Sequence, residues 1–152
     1  MGKKSPQKYS YDYPRPALTV DVVLVSREGR PKILLIQRAG DPFAGLWALP
    51  GGFVNENERL IDAANRELEE ETGLRINDLE QLYTAGDPGR DPRGWTVSVV
   101  YLARVDPEQL KVKAGDDAAD AKWFPLDKLP RLAFDHAMIL DRAKTRLADR
   151  RG

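Results

Sequence analysis

Residues 52–74 read GFVNENERLIDAANRELEEETGL, and the reading of this stretch decides the fold. From Leu60 to Thr72 it holds neither Gly nor Pro, and most of its residues are good helix formers. At about 100° per residue, Leu60, Ile61, Ala64 and Leu68 share an arc of about 100°, one apolar stripe. Gly73 stands where a C-cap belongs. The spacing therefore predicts an amphipathic helix over 60–72. On the same wheel, Glu67, Glu70 and Glu71 share a second arc of about 100° that borders the stripe. Like charges at i, i+3 and i+4 repel, so a purely structural helix gains nothing from them. A hard divalent cation reverses the sign of that effect, because Mg²⁺ and Mn²⁺ take oxygen ligands. The alternative is a solvated acidic face.

Upstream of this helix, Leu18–Val25 and Lys32–Ile36 are rich in β-branched and apolar residues, with the polar turn Arg27-Glu28-Gly29-Arg30-Pro31 between them. They read as an antiparallel hairpin. Residues 39–46 form a loop, Trp47-Ala48-Leu49 a short segment, and Pro50-Gly51-Gly52 a break in regular structure. Downstream, Leu79–Ala85 and Thr96–Val105 read as strands around the loop GDPGRDPRGW, residues 86–95. Ala121–Phe124 is a short strand, Pro125–Leu129 a turn, and Asp135 an N-cap for a last helix through Met138, Ile139 and Ala143. The order β-β-α-β-β-β-α predicts an α+β domain, a mixed β-sheet packed between two helices. Residues 1–16, with prolines, lysines and three tyrosines, are a tail or an edge strand, and 17–152 the domain.

The composition excludes several classes. With 152 residues the chain is one domain, and 41% hydrophobic against 32% charged residues is neither membrane-embedded nor disordered. Lys plus Arg is 24 and Asp plus Glu is 24, so no basic surplus points to nucleic acid. Zero cysteines exclude a disulfide scaffold, a thiolate metal site and a cysteine nucleophile. Met1–Lys8 carries three lysines without an apolar run, so it is no secretory signal. A cytoplasmic protein that binds neither membrane nor nucleic acid is expected.

The fixed positions around the helix form one long motif. Gly52 is followed after five residues by Glu58, and after seven more by Arg66-Glu67-Leu68-Glu69-Glu70-Glu71-Thr72-Gly73-Leu74. This resembles the Nudix box, Gly-x5-Glu-x7-Arg-Glu-U-x-Glu-Glu-x-Gly-U with U aliphatic, at every specified position. The resemblance extends to Leu49-Pro50-Gly51-Gly52 and to Trp123-Phe124-Pro125-Leu126 with Leu129-Pro130, so it covers roughly Ala17 to Leu140. It implies a Nudix-type mixed sheet between helices, an α/β/α sandwich. It also implies hydrolysis of a nucleoside diphosphate linked to another group, with Mg²⁺ or Mn²⁺ held against the pyrophosphate. Glu67 and Glu71 match the family's principal metal ligands, Glu70 a third, and the Gly51 carbonyl a further one. Arg66 matches a residue that orients carboxylates through its guanidinium fork. Glu58 is read as fixing the loop by a salt bridge. Glu67 is one candidate base and Asp117, before Trp123, another. Asp116 and Asp120 are its rivals, and a solvated Asp-rich turn is the alternative.

For the substrate, the 86–95 loop and Leu132-Ala133-Phe134-Asp135-His136-Ala137 resemble the ADP-ribose pyrophosphatase branch, and Pro88 is a weaker sign of it. Arg90 and Arg93 are candidates for phosphate or terminal ribose as bidentate donors; a plain turn is the alternative. Phe43, Trp47 and Tyr13 are candidates for adenine stacking, or core aromatics. Trp95 closes the loop on a base or on the core. His136, the only histidine, is read as structural. The leading expectation is hydrolysis of ADP-ribose to AMP and ribose 5-phosphate. The alternatives are a clean-up hydrolase of NADH or oxidised nucleoside triphosphates and, from another class, an ADP-ribose-sensing module. The intact box acids, and the absence of length for a DNA-binding domain after the final helix, speak for the enzyme. The resemblance also raises a homodimer, with the tyrosine-bearing N-terminal segment adding a strand across it.

Overall fold

The computed structural model describes residues 8–106, 108, 112 and 118–149. Seven strands and two helices come in the order β1 (Ala17–Ser26), β2 (Lys32–Arg38), β3 (Trp47–Ala48), β4 (Gly51–Phe53), α1 (Leu60–Thr72), β5 (Glu80–Ala85), β6 (Thr96–Val105), β7 (Ala118–Pro125) and α2 (His136–Asp149). Residues 8–16 form no strand within the single chain.

All strands belong to one mixed sheet in the order β3-β2-β1-β6-β5, with β4 added on β1 and β7 on β2. The central pair, β1 with β6, is parallel from Ala17↔Thr96 to Ser26↔Val105. β1 is buried on both faces, which explains its near-continuous apolar run. Its alternate residues feed two cores. Val20, Val22 and Leu24 pack with Ala63, Ala64 and Leu68 of α1, while Val23 and Val25 pack with Ile139, Leu140 and Ala143 of α2. The expected α/β/α sandwich is therefore the observed one, with each helix closing one face of the sheet.

The hairpin opens early, and this shapes the site. β1 and β2 pair at Val25↔Ile33 and then part. Toward its start, β1 pairs instead with β4, from Thr19↔Phe53 to Asp21↔Gly51, while the end of β2 pairs with β3 at Ile36↔Ala48 and Gln37↔Trp47. Leu49-Pro50 bridges the two, held by the Val22 N–H donating to the Pro50 carbonyl at 2.8 Å. The break expected at Pro50-Gly51-Gly52 is confined to the proline. Gly51 and Gly52 lie in a strand because each must pass closer to a neighbour than a side chain allows. A Cβ on Gly51 would overlap the Val20 carbonyl oxygen.

Candidate active site

Helix α1 presents the box acids. Its buried residues include Ala63, Ala64, Leu68 and Thr72, while Leu60 and Ile61 of the expected stripe are only half-buried. Gly73 ends it in the left-handed conformation (φ 77°), with its N–H donating to the Glu69 carbonyl. The carboxylates divide. Glu71 is buried, and its Oε1 accepts the Gly51 N–H at 2.7 Å. Glu67 lies against Gly52, where a Cβ would overlap the carboxylate atoms. Both acids open on one cavity together with Gly51, Gly52 and Arg38. Glu70 does not line it; half-exposed, it pairs with Arg66 at 3.4 Å. Among the described residues, no three His, Asp or Glu side chains gather in metal-holding geometry. The oxygen set formed by Glu67, Glu71 and the adjoining glycine main chain nevertheless has the chemistry of a hard divalent cation site.

Arg66 is the hub of the preceding loop. Its Nε and Nη2 donate to both Glu58 oxygens at 2.7 and 3.0 Å, Nη1 to Glu67 at 2.8 Å and Nη2 to the Phe53 carbonyl at 2.9 Å. Glu58 in turn accepts the Asn55 N–H, which is the loop-fixing role read for it. The Arg66 hydrogen bonds hold the Glu58 carboxyl below its ordinary pKa, and the same bonds raise that of Arg66.

Where β1 and β2 part, a cleft opens beside these acids, lined by Glu71, Arg38, Arg90, Arg93, Phe134 and His136 among others. The 86–95 loop delivers the arginines. Arg90 is nearly buried and spends its fork on Asp135, at 2.9 and 2.7 Å. That bidentate pair also takes the Asp135 carboxylate that a side-chain N-cap would need. Arg93 is half-exposed and braced by the buried Asp91 through three contacts of 2.8–3.2 Å. Burial pushes the Asp91 carboxyl up, but hydrogen bonds from the Arg93 side chain and main chain outweigh it, and the net shift is downward. Arg38, which sequence reasoning missed, comes from the end of β2. Its Nε donates to the Pro42 carbonyl at 2.7 Å, so the 39–46 loop holds it. Its pKa is lowered by burial first and by Arg93 next. Arg38 and Arg93 thus share the cleft, with Arg93 held on Asp91.

The remaining candidates are spread. Phe43 packs edge-on against Phe134 at 4.9 Å and Trp47 against Phe124 at 4.7 Å, both in core clusters outside the cleft. Tyr13 is exposed beside Arg15. Trp95 is exposed and lines a separate surface hollow with Pro88. Asp116 and Asp117 lie outside the described residues. Asp120 is exposed on β7 and accepts the Ala121 N–H. Beneath the cleft, the buried Asp21 accepts the Ser98 hydroxyl at 2.5 Å and faces His136 Nε2 at 3.6 Å. Burial raises the Asp21 pKa and lowers that of His136. His136 Nδ1 accepts the Leu49 N–H at 3.0 Å.

A model of the NUDIX domain family matches residues 15–143. The chain belongs to the Nudix family. It is similar to an ADP-ribose pyrophosphatase of Methanocaldococcus jannaschii, 45% identical over 140 residues, 91% of this chain and 78% of that protein. It is also similar to an ADPR-responsive transcriptional repressor of Acinetobacter baylyi, 40% identical over 141 residues, which span 90% of this chain and 56% of the repressor. Among solved structures, the NUDIX domain of Shewanella oneidensis NrtR, complexed with ADP ribose, superposes with a TM-score of 0.83 at 39% identity. That match covers 90% of this chain and 94% of the other. Nudix hydrolases use divalent metals, and the chain carries every acid of the box motif.

Proposed function

We propose that this Nudix chain hydrolyses ADP-ribose to AMP and ribose 5-phosphate with Mg²⁺ or Mn²⁺ bound. The observation that carries this reading is the meeting of acids and arginines at two cavities that share Arg38, Gly51, Gly52 and Glu71, one reaching Glu67 and the other Arg93. A diphosphate carries negative charge on both phosphoryl groups and needs cations from both sides. Glu67, Glu71 and the Gly51 carbonyl would hold the metal, and Glu70 would join them only by leaving Arg66. The metal, when bound, supplies a more acidic water and neutralises phosphoryl charge. Arg38 binds and orients the diphosphate as a planar donor, and Arg93 reaches the terminal ribose end of the substrate. Glu67, or Asp117, accepts the proton as the water oxygen bonds to phosphorus and the bridging P–O bond breaks. Arg66 keeps Glu67 aimed, and Arg90 is a strut of the loop rather than a ligand.

Similarity to proteins named for ADP-ribose supports the choice of substrate. A second reading, a module that binds ADP-ribose without turnover, is favoured by the 40% identity to the repressor. The deciding experiment is product analysis by ion-exchange chromatography over ADP-ribose, NADH and nucleoside triphosphates, with and without a metal chelator. AMP appearing fastest from ADP-ribose, and abolished by chelation, is the expected result. Tight binding of ADP-ribose without AMP would install the sensor reading.

A further inference from the structure

Phe134 and Asp135 before α2, and His136 at its first position, each hold a residue that lines the cleft. Phe134 adopts a left-handed backbone (φ 52°), and its ring centroid lies 4.9 Å from the guanidinium carbons of both Arg38 and Arg93. Asp135 takes the fork of Arg90. His136 reaches back to the strand connection and accepts the Leu49 N–H at Nδ1. An acceptor at Nδ1 fixes the tautomer, so the ring proton is on Nε2, facing Asp21.

The three residues after Leu49 give this bond a consequence. The Pro50 carbonyl is tied to Val22, the Gly51 N–H to Glu71, and Gly52 lies on the Glu67 carboxylate. The segment has no side chain of its own at Gly51 and Gly52 with which to adjust. Its distance from the two acids is set by where its ends are tied, and His136 ties the end nearest β3. The buried Leu49 N–H needs an acceptor in any packing, and a histidine aligned on it also fixes the segment along one direction.

We propose that His136 is a positioning residue: by accepting the Leu49 N–H it sets the Gly51–Gly52 main chain against Glu67 and Glu71. The site it serves is the metal site of the hydrolase reading, and on that reading it rests.

The test compares His136→Ala with His136→Asn, whose Oδ1 stands where Nδ1 stood and keeps the acceptor. Mn²⁺ binding is read by electron paramagnetic resonance without substrate, and kcat and KM for ADP-ribose at saturating Mn²⁺. Removing a group that orients a metal site costs roughly ten- to a hundredfold in affinity or turnover. The Ala variant is expected to lose that much in Mn²⁺ affinity and kcat with KM nearly unchanged, and the Asn variant to recover to within a few-fold of wild type. Wild-type Mn²⁺ affinity and kcat in the Ala variant would overturn the proposal. So would a folded Asn variant as impaired as Ala. If Ala does not fold, the Asn variant decides alone by the same criterion. A wild-type protein that binds Mn²⁺ yet leaves ADP-ribose intact would refute the hydrolase reading while the Mn²⁺ comparison still judges His136.

Discussion

At the scale of single residues, the acids of α1 differ by what their oxygens already hold. Relief of the i, i+4 repulsion predicts a gain of a few tenths of a kcal/mol for Glu67→Gln or Glu71→Gln. The structure removes that gain, since Glu67 holds Arg66 and Glu71 holds the Gly51 N–H. Both variants are expected to melt within a few degrees of wild type and to lose turnover by orders of magnitude; hydrolysis near the wild-type rate in either would remove the acids from the mechanism. The arginines separate in the same way. Arg93→Ala is expected to raise KM for ADP-ribose roughly ten- to a hundredfold, from about 1.5–3 kcal/mol of lost charge-assisted hydrogen bonding, and to raise KM for a nucleoside triphosphate less. Equal changes in the two KM values, measured side by side at saturating Mg²⁺, would take the terminal ribose out of the role of Arg93. The box residues were legible because their spacing is local. Arg38 was not, because nothing in its neighbours Gln37 and Ala39 announces that a distant loop will bring Arg93 beside it.

At the scale of elements, period and punctuation carried the reading where the partner is near in sequence. The helix over 60–72, the strands flanking the 86–95 loop and the last helix stand where hydrophobic spacing puts them. β4 escaped because two glycines read as a break, although the closeness they permit is what pairs them with β1. Asp135 before α2 has the form of an N-cap, but a buried arginine claims its carboxylate. These ties make stability depend on pH in two windows. His136, with its pKa lowered by burial, is neutral in the fold, so stability is lost as pH falls below the unfolded value of 6.5. Glu58, held down by Arg66, contributes above its ordinary value of 4.5, and this is lost as pH falls through its folded value. Asp21, raised by burial, works in the opposite sense and softens the decline. Urea denaturation at pH 7.5, 5.5 and 4 is expected to show falling stability. His136→Asn should flatten the upper interval and Glu58→Gln should lessen the lower one, where Asp91, also held down, keeps a share of the decline. An interval whose slope survives its variant would acquit that residue.

At the scale of the whole molecule, the cleft is a product of topology. β1 pairs with β6 in parallel, at a separation in sequence that no local pattern encodes, and this brings the 86–95 loop beside the end of β2. The parting of β1 from β2 then leaves room that β3 and β4 only partly fill. One wall belongs to α1 and the glycines, the other to the loop, β2 and the segment before α2. A ligand that binds both walls therefore binds only the folded state, and stabilises it by RT ln(1 + [L]/Kd), about 2.7 kcal/mol at a hundredfold excess over Kd. For a domain of this size that is a rise of several degrees in melting temperature. Mn²⁺ alone is expected to raise the melting temperature of wild type and of Arg93→Ala alike, since Arg93 stands on the other wall, and to leave Glu67→Gln unmoved. A non-hydrolysable ADP-ribose analogue added after Mn²⁺ is expected to raise it again in wild type and by clearly less in Arg93→Ala. A Mn²⁺ shift that persists undiminished in Glu67→Gln would place the metal elsewhere, and an analogue shift indifferent to Arg93 would mean that the second wall does not meet the ligand.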